Sequence, residues 1–311
     1  MMGVFDNIGQ TVGQTVGQAV DKGIGAVSGA ASNALIEHAP FLQGFVRLCN
    51  DGWLQGWHER NGGNLTYRMT DEDIKLVRAG LNETPEPWID LSFSTPSLAG
   101  SFFLVTGSGS YMRNITTAPA ENIGIVELDQ AGRAYRLVWG LKSGIKPTSE
   151  LPSHIMNHAV RMKATDGACR VLYHAHPSSV IAMTCIEPLD ARTFSRALWK
   201  AMTECVLVFP EGVGVVPWMV PGGIEIGKAT SEQMKKFGAV VWAQHGLFAS
   251  GETFDSTFGL MHTIEKAAGI YCKARTMNGG SNDFLNTISD AGLMQISDEF
   301  NLKINKEFLD L

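Results

Sequence analysis

Short apolar runs punctuate the middle of the chain, at 102–105, 123–128, 135–139, 171–173, 205–209 and 240–242, each bounded by Gly, Pro, Asn or charged residues. That pattern predicts strands. Between and beyond them, apolar positions recur at helical spacing over 150–164, 178–186, 191–201, 224–236 and 253–277. An earlier helix over 40–57 is predicted to set Phe41, Phe45, Leu48, Trp53 and Trp57 against a core before "RNGGN" stops it. Helices spaced among strands in this way predict an α/β fold with helices on both faces of one central sheet, while the strand order stays open.

The first 36 residues follow a different rule. Ile8, Val12, Val16, Val20 and Ile24 recur every four residues within a Gly- and Gln-rich repeat. Such spacing forms a slowly drifting stripe on a helix, yet each interior glycine weakens that helix by roughly 1 kcal/mol relative to Ala. Two readings follow: a loosely docked tail, or an amphipathic docking peptide for a shell or assembly partner over residues 1–33, joined by the linker "GAVSGAASNA". The domain division expected is therefore an extension over 1–36 and one globular domain over 37–311.

Composition narrows the class. The 311 residues are 44% hydrophobic and 18% charged, ordinary for a globular chain, and the net charge of −6 argues against nonspecific binding of nucleic acid or anionic membrane. Five scattered cysteines without a CxxC pair indicate reduced thiols. With no apolar run near membrane length and no basic leader ahead of an apolar core, a cytoplasmic location is expected, with an enzyme assembly or microcompartment as the finer alternative.

The chemistry gathers around "RVLYHAHPSSV". Strand side chains alternate, so His174 and His176 face one side if the extended backbone continues through Ala175, and two neutral imidazoles then reach one ion. An HxH pair alone also fits two hydrogen-bonded histidines at a strand end. His245 in "AVVWAQHGLFASG" adds a third imidazole at a second strand end, giving the ligand count of a catalytic zinc site, with Gly246 expected to supply an unusual backbone angle beside it. His154 and His158 lie at i,i+4 spacing without the Glu of HExxH, and are read as a solvated or hydrogen-bonding helix face.

The segments "GWHERNGGNLT", "VTGSGSYMRN", "PTSELPSH", "YHAHPSS", "TECVLVFPEGVGVVPWMVPG" and "WAQHGLFASG" occur in this order. Together they resemble the class II zinc aldolases, and among them the rhamnulose-1-phosphate aldolase family, over about residues 37–277. The resemblance implies a three-layer α/β/α fold around a predominantly antiparallel sheet, one Zn2+ per subunit on His174, His176 and His245, and a homotetramer of cyclic symmetry. It implies cleavage of L-rhamnulose 1-phosphate to dihydroxyacetone phosphate and L-lactaldehyde, in which a Lewis-acidic ion stabilises the enediolate charge.

Glu150 matches the family's catalytic carboxylate, although a Glu opening a helix is also favoured by the helix dipole alone. Glu204 matches a second acid/base group supplied across a subunit interface. Asn61, Gly63, Asn64, Ser108, Gly109 and Ser149 match the phosphate and substrate loops, where glycines let backbone amides approach an anion and neutral side chains donate to it. Turn chemistry alone also suits these loops. Fuculose-1-phosphate aldolase or a related phosphopentose epimerase is the alternative within the same chemistry, and an aldolase-fold scaffold module is the alternative outside it.

Overall fold

The computed structural model describes residues 29–82, 84–142 and 144–311, with side chains from Asn33 onward, so the glycine-rich repeat lies outside the described residues. Nine strands build one sheet: β1 Asn64–Arg68, β2 Ile89–Asp90, β3 Phe102–Thr106, β4 Ile123–Leu128, β5 Ala134–Gly140, β6 Val171–Ala175, β7 Gly214–Val216, β8 Ala239–Trp242 and β9 Gly246–Gly251. Their order is β2-β5-β4-β3-β1-β6-β9-β8-β7, and every neighbouring pair is antiparallel except β7 with β8.

Strand alternation divides the core into two faces. Leu104, Ile125, Tyr173, Val241 and Leu247 point to the layer that contains Phe45, Phe194, Met261 and Ile264. Phe103, Val105, Val126 and Leu128 point the other way, against Leu151 and Ile155 of the helix Leu151–Ala164. Leu172, Val240, Trp242 and Phe248 share that second face, under Ile226 and Met234 of the helix Ile224–Met234. Helices therefore cover both faces of a predominantly antiparallel sheet, as the resemblance implied.

Most of the predicted elements form, with small shifts at their ends. The helix Ala191–Ala201 has the expected bounds, and Phe254–Met277 starts behind Thr253, whose hydroxyl accepts from Ser256 N–H in a capping box. The run 205–209 is instead the helix Glu204–Val208: Cys205, Val206 and Phe209 are buried while Val208 is exposed, which is helical rather than alternating spacing. The helix from Pro40 ends at Leu54, so Trp57 is buried beyond its end and Trp53 is exposed.

Part of the expected linker is also helical, over Gly29–Glu37. Ile36 is in the core, and Trp139 Nε1 donates to Asn33 Oδ1 at 3.1 Å. This helix crosses the proposed boundary at residue 36.

Candidate functional site

The three histidines meet where β6 and β9 lie side by side. His174 is the penultimate residue of β6 and is buried, its ring stacked on Phe248 of the neighbouring strand at 4.5 Å. His176 follows the strand end, held by its own N–H donating to Trp57 O at 3.0 Å. His245 sits in the turn between β8 and β9. One ligand atom from each ring lies within 4.8 Å of the others.

Hydrogen bonds fix two of the tautomers. Leu247 O, 3.2 Å from His174 Nδ1, can only accept, so Nδ1 carries the proton and Nε2 keeps a lone pair. A Glu59 carboxylate oxygen 2.6 Å from His176 Nδ1 does the same for that ring. His176 Nε2 is then a buried atom without a hydrogen-bond partner, and His174 Nε2 stands 3.4 Å from His245 Nε2. Burial holds His174 well below the usual imidazole range and lowers His245 to about 4, each helped by the neighbouring rings. Converging neutral nitrogens, one of them orphaned, fit a divalent transition metal of the zinc kind.

Beside the imidazoles opens a cleft of about 220 Å3. Asn61, Gly63, Asn64, Ser108, Gly109, Ser149 and Glu150 all line it together with His176 and His245, so loops far apart in sequence are brought to one place. Among its described lining residues none is Lys or Arg, consistent with an anion site built from neutral donors. Gly63 and Gly109 take left-handed backbone angles, φ 75° and 76°.

Glu150 occupies the N-cap position of Leu151–Ala164 but makes no cap bond with its side chain. It is buried, its Oε2 accepts from Asn64 Nδ2 at 2.9 Å, and it lies 3.8 Å from His174 Nε2. Burial raises its pKa, opposed by the Asn64 hydrogen bond. A carboxyl raised in this way beside the imidazole cluster is suited to take up and return a proton. Asn64 is therefore occupied by protein partners at both ends, because His154 Nε2 also bonds its Oδ1.

One of three further sequence readings changes here, that of Gly246. Of the two alternatives for His154 and His158, the hydrogen-bonding face is present and the solvated one is not: both are buried and both bond Thr66 Oγ1. Gly246 does not supply the unusual backbone angle, which falls on Gln244 at φ 54°; glycine is needed because a Cβ at position 246 would come 2.4 Å from Ala175 O. Glu204 is exposed at the start of its helix and does not line the cleft of its own chain. Sequence reasoning assigned no role to Glu59, although it stands in "HERNGGN", two residues before Asn61.

Known proteins resemble this chain over most of its length. Residues 43–272 match the family described as class II aldolase and adducin N-terminal domain. A rhamnulose-1-phosphate aldolase of Escherichia coli O157:H7 (strain EC4115 / EHEC) is 46% identical over 260 residues, covering 84% of this chain and 93% of its own length. A sugar-phosphate aldolase from Thermotoga maritima superposes with TM-score 0.64 at 25% identity, over 78% of this chain and 97% of the other. An L-fuculose 1-phosphate aldolase superposes with TM-score 0.55 at 19% identity, over 85% of this chain and 97% of the other, which is a likeness of fold.

Proposed function

The chain belongs to the class II aldolase and adducin N-terminal domain family, and on that premise we propose that it is a metal-dependent lyase that cleaves L-rhamnulose 1-phosphate to dihydroxyacetone phosphate and L-lactaldehyde. The observation that carries this reading is the convergence of three neutral imidazoles, a buried carboxylate and two glycine-bearing loops on one cleft. The relative's name favours rhamnulose 1-phosphate over the fuculose and pentulose alternatives. The intact histidine set favours an enzyme over a scaffold module.

His174, His176 and His245 would hold the ion, zinc by family likeness, which when bound supplies Lewis-acid stabilisation of the negative charge formed as the carbon–carbon bond breaks. Uncharged ligands leave its double charge undiminished. The loops at Asn61–Gly63 and Ser108–Gly109, with Ser149, bind the phosphate through neutral donors and so orient the ketose along the cleft. Glu150 returns a proton to the enediolate carbon during cleavage and removes it in condensation.

Glu204 serves the aldehyde-side hydroxyl from a neighbouring copy in a homotetramer. Its exposure, and its absence from the lining of its own chain's cleft, support that arrangement. Among the described residues no helix is long and apolar enough to cross a membrane, and a cytoplasmic location is proposed. The four-residue repeat is proposed to dock the enzyme into a larger assembly or shell. Deletion of residues 1–28, which spares Asn33 and Ile36, should leave turnover intact and alter partitioning in cells; unchanged partitioning removes the docking role.

The deciding experiment is metal analysis and a retro-aldol assay on wild type and Glu150→Ala, with L-rhamnulose, L-fuculose and pentulose phosphates as substrates. Wild type should favour rhamnulose 1-phosphate, and Glu150→Ala should keep its metal and lose cleavage. Undiminished cleavage in the variant excludes Glu150 as the acid/base group, and a higher turnover of another sugar reassigns the substrate.

A further inference from the structure

Behind Glu150, a line of buried polar side chains runs into the protein, away from the cleft. Asn64 Nδ2 donates to Glu150 Oε2 at 2.9 Å, and the other end of the same amide, Oδ1, meets His154 Nε2. His154 Nδ1 lies 2.7 Å from Thr66 Oγ1, which lies 2.9 Å from His158 Nε2. Asn64 and Thr66 are on one face of the central strand β1, while His154 and His158 are one turn apart on the helix that Glu150 begins. All of these groups are buried.

We infer that Asn64, His154, Thr66 and His158 form a one-way chain of hydrogen bonds that holds the Glu150 carboxylate in register with the imidazole cluster. Asn64 and Thr66 are thereby positioning residues for the lyase chemistry, an assignment that rests on the function proposed above. Each direction follows from the one before it. An ionised carboxylate only accepts, so the Asn64 amide nitrogen faces it and the amide oxygen faces His154. That oxygen accepts from His154 Nε2–H. In a neutral ring Nδ1 is then an acceptor, so the Thr66 hydroxyl donates its single proton there. Thr66 Oγ1 is left to accept from His158 Nε2–H.

Every donor in the line points toward Glu150, and reversing any one bond would leave a buried donor facing a donor or an acceptor facing an acceptor. A merely structural tie between helix and strand needs none of this. Apolar side chains of similar volume would join the two elements without desolvating four polar groups. The chain instead restricts the orientation of one side chain, which is what a group that exchanges a proton with carbon requires.

The test compares zinc-loaded, full-length Thr66→Val, which keeps the shape and removes the hydroxyl, with Thr66→Ser, which keeps the hydroxyl. The expected result in Thr66→Val is a loss in kcat of about 10- to 100-fold, with KM and bound zinc unchanged, and Thr66→Ser should recover most of the rate. Nitrogen-15 NMR of labelled histidines in the wild type gives a readout independent of turnover and of any variant's folding: His154 and His158 should both carry the proton on Nε2.

A proton on Nδ1 of His154 overturns the chain. So does a folded Thr66→Val with wild-type kcat, a rate loss that tracks zinc loss, or a Thr66→Ser as impaired as Thr66→Val. If wild type cleaved no ketose phosphate, the proposed function would fall, and the tautomers alone would decide whether the chain exists.

Discussion

Alanine at Gly63 and alanine at Gly109 form a matched pair that isolates crowding at the site from backbone strain. Both glycines line the cleft, and both hold nearly the same left-handed angle, φ 75° and 76°. A Cβ in that conformation costs about 1 kcal/mol wherever it is placed. The surroundings differ. At Gly109 no atom lies within 4 Å of the added Cβ, whereas at Gly63 it would stand 2.5 Å from His58 Nδ1 and 2.6 Å from His174 O.

Neither neighbour of Gly63 yields easily. His58 is held by Gly62 O at 2.9 Å and by the Tyr173 hydroxyl at 2.6 Å, and His174 pairs with Asn64 across the β1–β6 ladder. Overpacking against such groups adds about 1–3 kcal/mol. The expected losses in urea unfolding are therefore about 1 kcal/mol for Gly109→Ala and about 2–4 kcal/mol for Gly63→Ala. Repeating the melts with and without zinc adds a second reading, because displacement of His174 should shrink the zinc-linked gain in stability in Gly63→Ala alone. Equal losses in the two variants, with equal zinc-linked gains, would refute the crowding argument.

Three further outcomes follow from the same geometry. Glu59→Ala removes the acceptor that sets the His176 tautomer, so zinc affinity measured by chelator competition should weaken, nearer 10- than 100-fold because the Glu59 side chain is 66% exposed; unchanged affinity refutes that role. Glu204→Ala should lower cleavage while keeping zinc, and dilution of wild type to monomers should lower it likewise; a fully active monomer refutes a shared site. Burial lowers His154 from 6.5 to about 3, so its contribution to stability is present above the unfolded pKa and is lost as pH falls from about 6.5 toward 3, where the unfolded chain takes up a proton that the fold excludes. The loss is about 1.4 kcal/mol per pH unit, or about 2 kcal/mol by pH 5. His154→Gln should be less acid-sensitive by about that amount in melts between pH 7 and 5, and identical pH slopes would exclude His154 as a source.

How much of this was legible in sequence depended on whether the signal was local. The helices of the second half follow from spacing within one element, and the bounds of Ala191–Ala201 needed nothing else. The central strand β1 escaped because "NLTYR" is entirely buried yet mostly polar, so it shows no apolar run; its polar side chains bond groups elsewhere in the chain, with Arg68 Nε alone left without a partner. The run at 205–209 was too short for periodicity to separate helix from strand. Within the site, His174 and His176 are adjacent enough to be noticed, whereas Glu59 reaches His176 across 117 residues and Thr66 reaches His154 across 88. Spacing reveals that two histidines share a helix face, and only the assembled sheet reveals what that face meets.

Three local rules are broken in or beside the cleft. Glu150 stands at an N-cap without capping, forgoing about 1 kcal/mol, and is buried instead. Gln244, a non-glycine residue at φ 54°, costs about 1 kcal/mol more and is held there by Thr184, which accepts from its backbone N–H and from its side-chain amide. The orphaned His176 Nε2 adds a desolvation cost of about 1–3 kcal/mol. The sum, about 3–5 kcal/mol, is a large part of the stability of an ordinary domain. These costs are removed by different means. The His176 lone pair is satisfied when a cation is held, and the Gln244 turn is offset by placing His245 beside it. Only the burial of Glu150 is relieved by neither, and a carboxyl kept out of water at a helix start, tied to one amide and facing the ligand set, is the group in this cleft best suited to move a proton.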